Sequence, residues 1–209
     1  MTEITIVIPT FRRPADLDRL LDSIAADIGD RTDVAIVVAD NDAVGSARTV
    51  VQRFADRAEQ AVEYRIAPEP GVSNARNKGM ESVESRYVLF LDDDMEVVPP
   101  YLDPLLDASR RLGTGLTFAP AVARLPDGAE SVAEWLIPLF SRVLPGDTRI
   151  VSETLGTGGC LVDLQGLSLS SPVFDPELNE VGGEDDAFFA ALIAQGARVG
   201  WCAEATAWE

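Results

Sequence analysis

Three carboxylates stand side by side at Asp92, Asp93 and Asp94, directly after the apolar run Val88-Leu89-Phe90-Leu91. Adjacent anions repel, so the triplet makes sense where a divalent cation or the hydroxyls of a polar ligand sit among them. A second acidic set, Glu184-Asp185-Asp186, follows Gly182-Gly183 and opens an apolar stretch. The macrodipole stabilises acids in a first helical turn, which is a sufficient structural reason for them. The chain has no histidine, however. Ser-His-Asp and Cys-His catalysis are thereby removed, and any general base must be a carboxylate such as one of these. Asp40 ends Val-Val-Ala-Asp and can accept from a base N–H or a ribose hydroxyl, or else cap the turn that follows. Pro70-Gly71-Val72-Ser73-Asn74-Ala75-Arg76 reads as a helix start with Arg76 in its first turn. A helix N-terminus with an arginine suits phosphate or a base carbonyl; plain capping by Ser73 or Asn74, with Arg76 solvated, is the alternative. Neither GxGxxG nor GxxxxGK(S/T) occurs, so a dinucleotide fold and a P-loop are unsupported.

The elements that position these residues alternate between strand and helix. Residues 4–9, 34–39 and 87–91 are apolar strand-like runs, and 62–66 reads as a shorter strand between the last two. Between them, Pro14 opens a helix with Leu17, Leu20, Leu21 and Ile24 at helical spacing. Val50, Val51 and Phe54 mark a second helix, and residues 73–83 a third. Such alternation implies a mainly parallel sheet with right-handed crossovers, and acids that close its strands fall where open α/β sheets bind ligands. The second half is less regular. Residues 114–123 read as one strand and 131–144 as a helix interrupted at Pro138. Gly156, Gly158 and Gly159 mark a tight turn before a strand ending near 162. A helix over 184–195 buries Phe188, Phe189, Leu192 and Ile193, and a strand follows at 198–202. With no repeat, low-complexity segment or linker, residues 1–209 read as one domain with halves at about 1–98 and 99–209.

Composition narrows the function classes. The net charge of −18, from 35 acids against 17 bases, works against nucleic-acid binding, which needs a basic footprint. It also repels phosphate esters, so such a ligand needs a local arginine or metal. Cys160 and Cys202 lack the spacing of a zinc site or a disulfide framework. No apolar run reaches the length of a membrane span, and Met1 leads straight into a strand rather than a signal peptide. A cytoplasmic protein with reduced thiols is the expectation.

In order along the chain stand Ile-Thr-Ile-Val-Ile-Pro-Thr, the Asp that ends the second strand, Pro-Gly-Val-Ser-Asn-Ala-Arg-Asn-Lys-Gly, Phe-Leu-Asp-Asp-Asp and Gly-Gly-Glu-Asp-Asp-Ala-Phe-Phe. This ordered set closely resembles the family 2 inverting glycosyltransferases of the type A (GT-A) fold, above all bacterial members that build exopolysaccharide or other surface glycans. The resemblance covers nearly the whole chain. It implies an α/β fold with a Rossmann-like nucleotide-binding half and a less regular acceptor-binding half. It also implies a nucleoside-diphosphate sugar donor, with uridine favoured, and a glycan or lipid-linked acceptor at the inner face of the plasma membrane. The implied cofactor is Mg²⁺ or Mn²⁺.

Carried over by that resemblance, Thr10 and Asp40 line the base pocket, and Arg76 contacts the base or the diphosphate. Asp92 faces ribose and metal, Asp94 holds the metal, and Asp93 is a spacer that faces away. Glu184 belongs to the donor-binding set, Asp185 is the general base, and Gly158 and Gly159 form the glycine turn beside the acceptor. Two departures have consequences. Many members use a late histidine on the metal; here the ion should arrive with the donor. Relatives also continue past the position of Glu209, so a closing element over the acceptor or a membrane-associating tail is expected there. QxxRW is absent, which favours single additions over processive synthesis. Two readings compete: a sugar-1-phosphate nucleotidyltransferase, disfavoured because residues 9–14 hold no glycine, and a catalytically silent nucleotide-sugar-binding module.

Overall fold

The first half of the chain forms a four-stranded parallel run of the sheet. In the computed structural model, which describes residues 2–125, 128–129 and 132–209, β1 (Ile4–Thr10), β2 (Val34–Asp40), β3 (Ala61–Ile66) and β4 (Tyr87–Phe90) lie in the order β3-β2-β1-β4. All three pairings are parallel. Every residue of β1 and β4 is buried, because helices and the second half cover both faces; hence the unbroken apolar runs. Helix α1 (Pro14–Ile28) starts at a proline, whose fixed φ suits a first helical position, and buries Leu17, Leu20, Leu21, Ile24 and Ile28. Helices α2 (Arg48–Ala55) and α3 (Val72–Met80) complete the crossovers.

The second half extends the same sheet and adds a smaller one. After β5 (Glu96–Val98) come α4 (Leu102–Leu112), β6 (Leu116–Phe118), β7 (Ala121–Val122), α5 (Ala133–Phe140) and β8 (Arg149–Val151). The chain continues through β9 (Cys160–Asp163), a 3-10 turn at Pro176–Asn179, α6 (Glu184–Ala194), β10 (Val199–Trp201) and β11 (Thr206–Trp208). The eight-stranded order is β3-β2-β1-β4-β9-β6-β10-β8, with β9 antiparallel to both β4 and β6; the second sheet runs β5-β11-β7.

Several expectations change. The run over 114–123 is two strands in different sheets, broken at Ala119-Pro120; Pro120 has no N–H for a continuous ladder. Helix α4 and strands β5, β8 and β11 are additional elements. At the start of α4 no local side chain caps the helix. Instead, Asp27 of α1 accepts from Tyr101 N at 2.7 Å and Leu102 N at 2.9 Å. Helix α5 contains Pro138, buries none of its residues, and exposes Trp135, Leu139 and Phe140; the Ser131 start given above lies outside the described residues. In α6, Phe188, Phe189 and Leu192 are buried, but Ile193 is exposed. Phe188 meets Phe90 of β4 edge-on at 6.0 Å and Phe174 at 4.5 Å, which fixes the start of α6 against the end of β4. Among the described residues, no helix is long and apolar enough to cross a membrane.

Candidate active site

A cleft of about 710 Å³ opens at the carboxyl ends of β1, β2 and β4, the usual ligand position in such sheets. Its walls are Thr10 to Arg13 after β1, Asn41 and Asp42 after β2, Gly71, Val72 and Arg76 on and before α3, Asp92 to Asp94 after β4, and Glu209.

The acid triplet does not lie bare in solvent. Asp93, in the turn after β4, meets the end of β1. Asp93 is 6% exposed and accepts from Thr10 Oγ1 at 2.7 Å and from Phe11 N at 3.4 Å. The spacer role given to Asp93 above is therefore incorrect: its carboxylate clamps β1 to β4 and leaves Thr10 hydrogen-bonded within the floor. Asp94 Oδ2 is 2.6 Å from Arg13 Nη1, which also reaches Asp93 Oδ1 at 3.4 Å. Burial pushes the Asp92 carboxyl above the usual carboxylate range, opposed by the Arg76 and Arg142 guanidinium groups. Burial likewise raises Asp93, against the Thr10 hydroxyl and Arg13. A Cβ on Gly158 would collide with Asp92 Oδ2; only glycine leaves that carboxylate its place.

The second acidic set meets the first through one guanidinium. Arg76 is 5% exposed; its Nη1 lies 2.8 Å from Asp185 Oδ1 and 3.0 Å from Glu184 Oε1, and its Nη2 lies 3.4 Å from Asp92 Oδ1. Thr157 completes the hold on Asp185, with its N–H donating to Oδ2 at 2.9 Å and its hydroxyl 3.2 Å from both oxygens. Helix α3 begins at Val72, which puts Arg76 in the second turn rather than the first, ion-paired rather than solvated. Ser73 and Asn74 do not cap this helix. Asn179 Oδ1 accepts from Ser73 N, and Asn41 Oδ1 from Gly71 N, both at 2.9 Å.

Two expected site residues lie elsewhere. Asp40 is fully buried and accepts from Asp42 N at 2.9 Å, Ala47 N at 2.8 Å and the Tyr64 hydroxyl at 2.6 Å. It anchors the loop that presents Asn41 and Asp42, and those two form the wall. Gly159, at φ +86°, turns inward: a Cβ there would meet Tyr101 Oη at 3.1 Å. Four residues that sequence reasoning missed also contribute: Arg13, Thr157, Arg142 and Glu209. Arg142 Nη2 is 2.8 Å from Glu209 Oε2, and burial raises the Glu209 carboxyl against Arg142. Arg13 was legible as a base just past a strand end; the Arg142–Glu209 pair, 67 residues apart, carries no local signal.

Known proteins bear on this arrangement. The chain is 29% identical over 203 residues to the succinoglycan biosynthesis protein ExoM of Rhizobium meliloti (strain 1021), across 97% of this chain and 65% of that protein. It is 27% identical over 108 residues to a GalNAc(5)-diNAcBac-PP-undecaprenol beta-1,3-glucosyltransferase of Campylobacter jejuni, across 51% of this chain and 34% of that one. The fold matches S. aureus TarS 1-349 in complex with UDP-GlcNAc at a TM-score of 0.72 and 17% identity, covering all of this chain and 59% of that one. The chain thus spans less than two-thirds of the length of each. Residues 5–160 match the model of Glycosyl transferase family 2, and the chain belongs to that family.

Proposed function

We propose that this chain catalyses inverting transfer of a hexose-type sugar from a nucleoside diphosphate, uridine favoured, to a hydroxyl of a glycan or lipid-linked acceptor. One observation carries the reading: Arg76 joins Asp92 on the cleft wall to the Glu184–Asp185 pair, so a donor lying along the triplet would have a fixed carboxylate at hand for the acceptor. Half-exposed Phe11, with Asn41 and Asp42, supplies a flat face and polar edges for the base. The names of the relatives supply the donor and acceptor classes, and a lipid-linked acceptor would put the reaction at the inner membrane face.

Asp94, with Asp92, would hold Mg²⁺ or Mn²⁺. The residues fit: Asp94 already carries a cation in Arg13, and Gly158 leaves the Asp92 carboxylate room. Among the described residues no three His, Cys, Asp or Glu side chains converge on one point, so donor oxygens must complete the coordination. When bound, the ion neutralises charge on the departing diphosphate. Asp185 takes the proton of the acceptor hydroxyl as that oxygen attacks from the opposite face, and Thr157 and Arg76 keep its carboxylate aimed. One displacement inverts the configuration. Asp185→Asn should keep nucleotide binding and lower kcat by about 10²- to 10⁴-fold; wild-type turnover would remove Asp185 from the role.

A further inference from the structure

Arg13 is paired with one oxygen of the carboxylate proposed to hold the metal. Its Nη1 is 2.6 Å from Asp94 Oδ2, and its side chain is 53% exposed against 38% for Asp94. The guanidinium is therefore a half-exposed cation on a long arm, not a buried fixture. The buried Asp93 is held by Thr10 whether Arg13 stays or leaves. Neighbouring Arg12 is engaged elsewhere, 3.3 Å from Asp42.

We infer that Arg13 is the resident counter-ion of Asp94, that a divalent cation displaces it, and that the freed guanidinium then binds the donor diphosphate. This rests on the metal and donor reading above. Two cations cannot share one carboxylate oxygen without repulsion, so Arg13 suppresses metal binding while the cleft is empty. Arg13 uses one nitrogen, close to Asp94 and at a long 3.4 Å from Asp93; a diphosphate offers the planar fork two close acceptor oxygens at once, so donor and ion together draw Arg13 across. Removing the arginine should then uncouple the two ligands.

The test is Mn²⁺ titration of wild type and Arg13→Gln, each alone and with saturating UDP, followed by calorimetry and by electron paramagnetic resonance of free Mn²⁺. Without nucleotide, Arg13→Gln should bind Mn²⁺ about three- to tenfold tighter than wild type, since an exposed ion pair and a nearby positive charge are both removed. The same variant should bind UDP more weakly, so UDP raises its Mn²⁺ affinity less than it does in wild type. Adding Asp94→Asn should cancel the gain. Equal or weaker Mn²⁺ binding by Arg13→Gln, or a gain that survives Asp94→Asn, overturns the inference and leaves the metal reading intact. Failure of both proteins to bind Mn²⁺ even with UDP overturns the metal reading and the inference with it.

Discussion

At the residue scale, the site is a set of acids held apart by arginines. Arg76 is the most heavily engaged, and replacing it strands three partly buried carboxylates. Arg76→Met should lower stability by about 3 kcal/mol in urea unfolding, and Asp92→Asn in the same background should recover part of that. Alone, Asp92→Asn should do the opposite. Burial raises the Asp92 carboxyl, so the folded chain holds that proton more firmly than the unfolded one. Stability attributable to this group therefore falls as pH rises from the ordinary carboxylate value, about 4, through the raised one. At neutral pH Asp92→Asn should raise Tm, with the gain vanishing near pH 4 and nucleotide binding lost. A lower Tm at neutral pH would contradict this assignment of strain to the site.

At the scale of elements, the molecule is held in register by polar groups distant in sequence. Asn179, 106 residues from Ser73, caps α3; Asn179→Ala should cost about 1 kcal/mol, read by chemical denaturation. Gly158→Ala separates backbone from site: Gly158 is not among the positive-φ glycines, so Tm should move little, while the collision with Asp92 should weaken nucleotide binding by about tenfold or more. Unchanged binding would mean that Asp92 has freedom the geometry denies it. These elements also show why sequence reading succeeded and where it stopped. Strands β1, β2 and β4 announce themselves because burial on both faces leaves unbroken apolar runs. The acids that close them are visible for the same local reason. The cap of α4 by Asp27 leaves no local trace, and α4 was missed. Asp40 and Asp93 were visible as strand-end acids, but which wall each faces depends on loops packed over them: Asp40 caps the turn that follows it, the second of its two readings, whereas Asp93 faces β1 instead of away.

At the scale of the whole molecule, the proposed donor is a diphosphate anion, which a chain of net charge −18 repels. The arginines of the cleft are largely neutralised by its own acids, so binding should depend on an added divalent cation. Burial raises Asp92, Asp93 and Glu209 together, so acidification protonates the cleft early. Metal-dependent nucleotide binding should fail on the acid side at a pH above the ordinary carboxylate range of about 4, as a calorimetric series across pH would read. The most direct measurement is calorimetric titration of UDP-glucose and UDP-GlcNAc into wild type and Asp94→Asn, each with Mn²⁺ and with chelator. Binding by at least one sugar nucleotide that needs both Mn²⁺ and Asp94 is the predicted result. No binding to either sugar nucleotide with Mn²⁺ present, or binding indifferent to both the metal and Asp94, would contradict the account.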